Sequence, residues 1–335
     1  MLFYDPRFLD HVASPYHVER PDRLRAIVER LRTEGLLEDV RTARSATAAE
    51  LRRVHHKASL DAFRTMGEGF LDPETAVHPG TWEIARLAAG AVLAATRSAV
   101  SASTYAVALV RPPGHHAGPD HGGGFCYLNN VAVGAADLVS KGLRVAILDY
   151  DAHHGNGTAE IFSGDPRVLY VSTHQYGIYP GTGPAEDVGE AEGRGFTVNV
   201  PFPAAAGDAS YAAAREAVIE PILDSFRPQV ILISLGVDAH YRDPLTSLTL
   251  SSPGYVDLVL HAAEQARRHC SGRLVIALEG GYHLQALAEV VAGVVAGLSG
   301  RQVGLQLTDI HDRDNRGREA IDATRRAHRD YWSLR

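Results

Sequence analysis

Cysteine is scarce in this chain, and so is any excess of positive charge. Its 335 residues include only Cys126 and Cys270, which excludes a disulfide framework and favours a reducing compartment. The 40 acidic residues outnumber the 33 lysines and arginines, so the formal net charge is −7. Because no basic field would attract phosphates, we expect no nucleic-acid partner.

A long apolar run is also lacking. No stretch approaches the roughly 20 apolar residues that a membrane-spanning helix needs, and residues 1–7 do not show the charged and then apolar pattern of a signal peptide. We therefore expect a cytoplasmic protein with no membrane association. Since no linker or internal repeat divides the chain, we predict one domain over 1–335. Its core is predicted at about 16–298 and a C-terminal helical extension at about 315–335, while the sequence leaves a homo-oligomer open.

Strand and helix patterns alternate along the chain, which is the signature of an α/β fold. Continuous runs of Val, Ile and Leu predict strands that are buried on both faces, as in a parallel sheet. The predicted strands are 105–110, 145–148, 167–173, 195–200, 230–235 and 274–278, and the predicted helices are 21–37, 81–100, 128–141, 157–162, 209–226, 253–270, 283–298 and 316–332.

Four of these predicted strands run directly into short groups of residues that bind metals or transfer protons. In open parallel sheets the working crevice lies beyond the carboxyl ends of the strands, so the four groups are expected in one cleft. Three glycine-bearing loops, predicted at 67–80, 117–125 and 176–195, are of the length that shapes a site. The sequence therefore predicts a metal-assisted active site built from Arg111-Pro-Pro-Gly-His-His116, Asp149-Tyr-Asp-Ala-His-His-Gly-Asn156, Gly236-Val-Asp-Ala-His240 and Glu279-Gly-Gly-Tyr282.

The candidate metal ligands alternate along the chain, because Asp149, Asp151 and His153 are two residues apart. If the chain stays extended after its strand, these side chains point to one side. Asp151 and His153 can then share a metal ion with Asp238, which arrives from another strand end. Two carboxylates and one imidazole leave a coordination position open, as catalytic zinc sites do. An isolated Asp-x-His would more simply cap a turn, but the other three strand ends favour a metal site.

A second set of residues is suited to acid-base chemistry. The adjacent His115 and His116 fit general-base and electrostatic roles beside a metal. Asp149 can fix the tautomer of one imidazole, and Asn156 can do so for the other without adding charge. Tyr282 follows two glycines at a strand end, where its phenol can stabilise a tetrahedral oxyanion.

These motifs, in this order, resemble the zinc-dependent histone deacetylase superfamily. The resemblance runs from about Tyr16 to Leu298, and the Arg-Pro-Pro-Gly-His-His form together with Asn156 is similar to the class II and bacterial branch. It implies the arginase-deacetylase fold, a single α/β domain in which helices flank a central, mostly parallel sheet and long loops surround the active site. The motifs that carry it are Arg111-Pro-Pro-Gly-His-His-Ala117, Gly124-Phe-Cys-Tyr-Leu-Asn-Asn130, Asp149-x-Asp-x-His-His-Gly-Asn-Gly157, Tyr179-Pro-Gly-Thr-Gly183, Gly236-Val-Asp-Ala-His240 with Asp243-Pro-Leu245, and Glu279-Gly-Gly-Tyr282.

The resemblance also implies a role for individual residues. One catalytic zinc ion is expected on Asp151, His153 and Asp238, and a structural potassium ion is expected beneath it. His116 is the expected general base. The other implied roles are Asp149 and Asn156 as orienting partners of His115 and His116, Tyr282 as the donor to the acyl carbonyl, Phe125, Gly124 and Tyr179 as tunnel walls, Leu245 and Asp72 at the tunnel rim, Arg23 near an inner exit channel, and Asp149, Asp151, His153 and Ser172 as potassium ligands.

The activity that the resemblance implies is amide hydrolysis. Metal-activated water would remove an acetyl or another short acyl group from the side chain of an acyl-lysine in a peptide or protein. Acetylated polyamines are the alternative substrates, because a slender tunnel accepts both. Leu245 is neutral where polyamine specialists tend to have an acidic residue, which favours acyl-lysine. The carboxylates of Glu68, Asp72 and Glu74, in a loop near the rim, keep the polyamine alternative open. Asp72 can equally hold the backbone of a peptide substrate.

Two other interpretations are disfavoured by particular residues. An arginase-like ureohydrolase with two manganese ions needs a second carboxylate two residues after Asp238, where this chain has His240. A catalytically inactive acyl-lysine binder would be expected to lack a zinc ligand or Tyr282, and all of these are present.

Overall fold

An eight-stranded parallel sheet lies at the centre of the computed structural model, which describes residues 1–14 and 16–334. Its central strands are rich in Val, Ile and Leu and are buried along their whole length, as a sheet covered on both faces requires. The strands are β1 (Leu2–Phe3), β2 (Val40–Arg41), β3 (Gly69–Phe70), β4 (Ala76–Val77), β5 (Tyr105–Ala108), β6 (Val145–Asp149), β7 (Val168–Gln175), β8 (Thr197–Phe202), β9 (Val230–Leu235) and β10 (Leu274–Leu278), of which β3 and β4 form a separate antiparallel hairpin.

The strand order explains where a site can form. The sheet runs β2-β1-β5-β10-β9-β6-β7-β8, and each neighbouring pair is parallel. The four strands that precede the chemical motifs, β5, β10, β9 and β6, are therefore adjacent and end at the same edge. This arrangement confirms the predicted α/β fold with a central parallel sheet.

Helices pack on the sheet in two groups. Helices α4 and α5 contact each other and the central strands, while α9 and α10 contact each other and α9 covers β9 and β10. Among the described residues, no helix combines the length and the apolar character that a bilayer crossing needs. The helices are α1 (Asp22–Thr33), α2 (Ala48–Leu51), α3 (Lys57–Thr65), α4 (Thr81–Ala102), α5 (Asn130–Val139), α6 (Asn156–Phe162), α7 (Asp208–Ala214), α8 (Glu220–Phe226), α9 (Ser252–Cys270), α10 (Leu284–Leu298) and α11 (Arg318–His328).

The predicted long elements are confirmed to within a few residues, and three predictions need correction. The helix predicted at 209–226 contains a π-helical turn at Arg215–Ile219, which separates α7 from α8. The helix predicted at 21–37 already ends at Thr33. The segment predicted as a loop at 67–80 contains the β3–β4 hairpin. Two-residue strands have no periodicity, so the pattern could not reveal them.

The C-terminal helix α11 packs against the edge strand β8. Thr324 donates a hydrogen bond to the backbone carbonyl of Asn199 at 2.6 Å, and the Trp332 indole donates one to the carbonyl of Gly195 at 2.6 Å. His328 is completely buried in this contact, and neither of its ring nitrogens has a hydrogen-bond partner within the described residues. Burial lowers the pKa of His328 to about 4.

The buried His328 predicts an acid-sensitive part of the folding stability. An unfolded imidazole takes up a proton near pH 6.5, whereas the folded one resists protonation until about pH 4. The free energy of unfolding should therefore fall as the pH drops from about 6.5 towards 4, by at most about 3 kcal/mol from this group. In the variant His328→Leu this fall should be smaller, as measured by urea unfolding at pH 7, 5.5 and 4.5.

The exposed His311→Leu serves as the control for loss of an imidazole. If wild type and His328→Leu lose stability equally between pH 7 and 4.5, His328 does not contribute to the acid sensitivity.

Candidate active site

The metal-ligand candidates converge at the carboxyl edge of the sheet. One ligand atom from each of Asp151, His153 and Asp238 lies within 4.8 Å of the other two. The Nδ1 atom of His153 is 2.9 Å from Asp238 Oδ2 and 3.2 Å from Asp151 Oδ1. The backbone orients both carboxylates, because Asp151 Oδ2 accepts from the Gly280 N–H at 2.9 Å and Asp238 Oδ1 accepts from the Ala152 N–H at 2.8 Å.

The chemistry of this donor set fits a divalent cation. Both carboxylates are buried, and burial followed by the neighbouring Asp151 charge raises the pKa of Asp238 to about 7. Burial alone would lower the pKa of His153, but Asp151 and Asp238 outweigh it and raise that pKa to about 10. The two carboxylates thus stabilise a positive charge placed between them. Two oxygens and one nitrogen are ligands that zinc accepts, with a position left for substrate.

Two glycines leave the space in which these ligands meet. A Cβ atom at Gly236 would lie 2.0 Å from Asp151 Oδ2. At Gly280 it would lie 2.5 Å from Asp238 Oδ2 and 2.6 Å from Asp151 Oδ2. Neither position can hold a larger residue unless a candidate ligand moves.

His115 is held by a buried carboxylate. Its Nδ1 atom is 3.0 Å from Asp149 Oδ2, and the Tyr170 hydroxyl donates to the same oxygen at 2.9 Å. Burial opposes a charge on His115, but Asp151 and then Asp149 outweigh it and raise the pKa of His115 to about 10. This geometry favours a positively charged imidazole beside the candidate metal ligands.

His116 has the opposite electrostatic character. Its Nδ1 atom is 2.8 Å from the amide oxygen of Asn156. Since this oxygen only accepts, Nδ1 carries the proton and Nε2 keeps its lone pair. Burial, and after it the positive charges of His115 and His153, hold the pKa of His116 well below its ordinary value. The two adjacent imidazoles, with centroids 4.0 Å apart, are thus divided into one charged and one neutral group.

Hydrogen bonds to the backbone on either side of Tyr282 hold this residue in place. Asp243 Oδ2 accepts hydrogen bonds from the N–H groups of Tyr282 at 2.7 Å and His283 at 3.3 Å. Arg23 donates to the carbonyl of Gly281 at 2.7 Å, and its guanidinium lies 5.0 Å from the centre of the Tyr282 ring. Burial raises the pKa of Tyr282 well above its ordinary value against the opposing effect of Arg23, so the phenol keeps its proton.

An aromatic side chain lies beside each of two candidate catalytic groups, His116 and Tyr282. The Tyr179 ring is 5.0 Å from the His116 ring, and the Phe125 ring is 5.9 Å from the Tyr282 ring. Tyr179 and Leu245 are exposed, with relative exposures of 45% and 39%, so both reach the molecular surface. The predicted wall residues Tyr179 and Phe125 therefore lie beside candidate catalytic groups.

Two of the predicted potassium ligands, Asp149 and Ser172, lie on adjacent strands, and each already contacts a histidine. Asp149 and Ser172 are register partners on β6 and β7, and both are completely buried. The Ser172 hydroxyl lies 2.8 Å from Nδ1 of His174. A potassium ion on Asp149, Asp151, His153 and Ser172 stays a prediction.

Several contributors to the site were not assigned a role from the sequence. Glu279 accepts from the backbone N–H groups of Gly114 at 2.6 Å and His115 at 3.2 Å, which fixes the turn before the paired histidines. Glu19 pairs with both Arg23 and Arg111 in a fully buried cluster, at 3.0 Å from the Arg23 guanidinium. The contacts of Glu279 with Gly114 and of Glu19 with Arg111 join segments more than 90 residues apart, so no local sequence pattern indicates them.

Two residues named in the sequence analysis gain structural detail here. Cys126 is buried, and burial raises the pKa of its thiol well above the ordinary value, which argues against a nucleophile. His240 is buried with Nε2 3.2 Å from the Ser252 hydroxyl, and its Nδ1 accepts from the Arg242 N–H at 3.1 Å. His240 is therefore bound elsewhere and does not supply a ligand for a second metal.

Comparison with known proteins agrees with this geometry. Residues 17–298 match the family model described as the histone deacetylase domain. The chain belongs to the histone deacetylase family. Membership in this family of deacetylases and amidohydrolases makes it a hydrolase.

The sequence matches to related proteins cover most of the chain. It is 39% identical to a probable deacetylase of Archaeoglobus fulgidus, over 99% of this chain and 98% of that protein. It is 38% identical to a histone deacetylase-like amidohydrolase of Pseudomonas aeruginosa, over 84% and 81% of the two chains. The crystal structure of the HDA15 HD domain matches with a TM-score of 0.89 at 34% identity, and the match covers 99% of this chain and 96% of that one.

From the arrangement of Asp151, His153 and Asp238 we predict that the chain binds one metal ion tightly and that this binding requires Asp238. Replacing Asp238 by Ala removes one of three ligands and a negative charge, so the metal content of the purified protein should fall from about one ion per chain to near zero. Elemental analysis after dialysis measures this, and circular dichroism checks that the variant is folded. Asp257→Ala, which removes an exposed carboxylate, is the control. Full metal content in folded Asp238→Ala would contradict the assigned site.

Proposed function

We propose that this chain is a zinc-dependent amidohydrolase that removes an acetyl or another short acyl group from the side chain of acyl-lysine. One observation carries the proposal: the Asp151, His153 and Asp238 cluster lies beside a neutral, Asn156-bound His116. This arrangement supplies a metal-binding donor set and a proton acceptor in the same cleft. Tyr282 adds a protonated phenol to it.

The proposed division of labour follows from the protonation states. When bound, zinc supplies a Lewis acid that polarises a carbonyl and acidifies water. His116, with its free Nε2 lone pair, takes the proton of the attacking water and passes it to the leaving amine. Tyr282 donates a hydrogen bond to the oxyanion, and His115, held by Asp149, contributes electrostatic stabilisation. We further propose that potassium, held at Asp149 and Ser172, has a structural role.

Peptide or protein substrates are favoured by the surface around Phe125. A cavity of about 520 Å³ beside Phe125 and Leu245 is lined mainly by side chains of the N-terminal loop and the β3–β4 hairpin, including Tyr16 and Phe70. Tyr16 and Phe70 are exposed by 95% and 66%. A side chain that neighbours acyl-lysine in a peptide can bury apolar area here, whereas an acetylpolyamine has no such group.

Acetylpolyamines remain the second candidate because of one specific feature. Glu74 is exposed, lines the same cavity and offers a carboxylate to a second ammonium group. Leu245, which lines the same cavity, is neutral and offers no charge to a second ammonium group.

The assigned oxyanion donor leads to a direct kinetic prediction. Tyr282→Phe should lower turnover on an acetyl-lysine peptide by on the order of 10²–10³, because one hydrogen-bond donor to the developing charge is lost. Metal content should be unchanged. Tyr105→Phe is the matched control, because Tyr105 begins β5 and so lies at the edge of the sheet away from the site. Wild-type turnover in Tyr282→Phe would refute the assigned role.

The substrate class can be tested with the zinc-loaded protein. We expect kcat/KM to be higher for acetyl-lysine peptides, particularly those with an apolar residue beside the acyl-lysine, than for N-acetylputrescine and N-acetylspermidine. The reverse order would identify a polyamine deacetylase. Binding without hydrolysis of either class, at full metal content, would identify an inactive acyl-lysine binder.

A further inference from the structure

A strained turn forms one wall beside the candidate catalytic groups. Gly124 and Phe125 both have left-handed backbone conformations, with φ of 53° and 68°. Glycine adopts this conformation freely, but an aromatic residue does so only where its surroundings hold it. The position of the Phe125 ring therefore depends on contacts made by its backbone.

The β3–β4 hairpin supplies these contacts. Asp72 Oδ2 accepts a hydrogen bond from the Gly124 N–H at 2.8 Å, and Thr75 Oγ1 accepts one from the Phe125 N–H at 2.9 Å. Thr75 is completely buried, and the other carboxylate oxygen of Asp72 accepts from the Glu74 N–H at 3.0 Å within the hairpin itself. Two consecutive N–H groups of the strained turn are thus bound by side chains from a hairpin about 50 residues earlier in the chain.

The same carboxylate also reaches the opposite wall. Asp72 Oδ2 accepts a hydrogen bond from the Tyr179 hydroxyl at 3.4 Å. A Cβ atom at Gly123 would lie 2.8 Å from this carboxylate oxygen and 3.1 Å from the Tyr179 hydroxyl, so the three groups meet at one point. One oxygen atom therefore connects the backbone beside Phe125 with the side chain of Tyr179.

We propose that Asp72 and Thr75 are positioning residues that set the separation of the Phe125 and Tyr179 walls, and that Asp72 acts in this way on any substrate that enters between them. The inference rests on the proposed function, in which these two rings enclose the acyl-bearing chain. It differs from a role of Asp72 as a direct ligand of the peptide backbone, because both carboxylate oxygens already bind groups of the protein.

Substrates with and without a peptide backbone separate the two roles of Asp72. The probes are a blocked acetyl-lysine tripeptide and N-butylacetamide, which reproduces only the acylated side chain. For Asp72→Ala we expect kcat/KM to fall by about tenfold on both probes, mainly through KM, because a charge-assisted hydrogen bond is lost. Thr75→Val should produce a smaller fall of the same pattern. A loss confined to the tripeptide would overturn the proposal in favour of backbone binding.

Hydrogen exchange tests the same contacts without reference to activity. In Asp72→Ala and Thr75→Val, the amides of residues 118–128 should exchange faster, because Gly124 or Phe125 loses its acceptor. Tyr179→Phe should leave this exchange unchanged while raising KM, since only the opposite wall is released. Glu83→Ala, which removes an exposed carboxylate from the helix after the hairpin, is the control for both measurements.

The exchange result also separates this inference from the proposed function. Faster exchange in Asp72→Ala, in a protein that hydrolyses neither probe at full metal content, would leave the contacts established and the deacetylase proposal refuted. Hydrolysis by wild type with unchanged exchange and unchanged KM in Asp72→Ala would refute the positioning role alone.

Discussion

The electrostatic requirement of two buried carboxylates dominates this structure. Asp151 and Asp238 share the single imidazole of His153 at the end of the sheet. Moving charges out of water costs several kcal/mol each unless partners replace the lost hydration. The segments that follow the parallel strands donate backbone N–H groups to these carboxylates, and His115 and His153 lie beside them as bases with raised pKa values. The chemistry of the site thus follows from a cluster of buried ionisable groups that the fold brings together.

Other buried carboxylates organise the surroundings of the site. Glu279 binds the turn before the paired histidines, Asp243 binds the backbone of Tyr282, and Glu19 anchors two buried arginines. Each one ties a loop to a distant part of the chain through hydrogen bonds that water cannot easily replace. Rigid placement of proton donors and acceptors is what makes electrostatic catalysis effective, because no reorganisation is then needed during the reaction. The loops around the cleft are therefore held in place by hydrogen bonds and ion pairs of buried carboxylates.

Much of this arrangement could be predicted from the sequence, and the exceptions have a common cause. Strands such as β9 are continuous apolar runs, and the motif that follows each run shows which polar side chains reach the carboxyl edge of the sheet. The pairing of His116 with Asn156 was also anticipated, because the family resemblance assigns a role to both partners, although they lie in separate motifs. In contrast, the contacts of Glu19 with Arg111 and of Asp243 with Tyr282 are set by tertiary structure, and the β3–β4 hairpin is too short to show a periodic pattern. Local patterns report elements and strand ends, whereas long-range ion pairs and two-residue strands leave no such signal.

The close approach of Gly236 and Gly280 to the carboxylates has a consequence for reading divergent relatives. A single methyl group at either glycine would overlap a carboxylate oxygen, so the ion-binding geometry can be lost while every coordinating side chain is retained. The presence of the Asp, His and Asp set in an aligned relative is therefore not sufficient to infer activity. Glycine at the positions of Gly236 and Gly280 is an equally useful criterion, because the carboxylates occupy the space that a side chain there would fill.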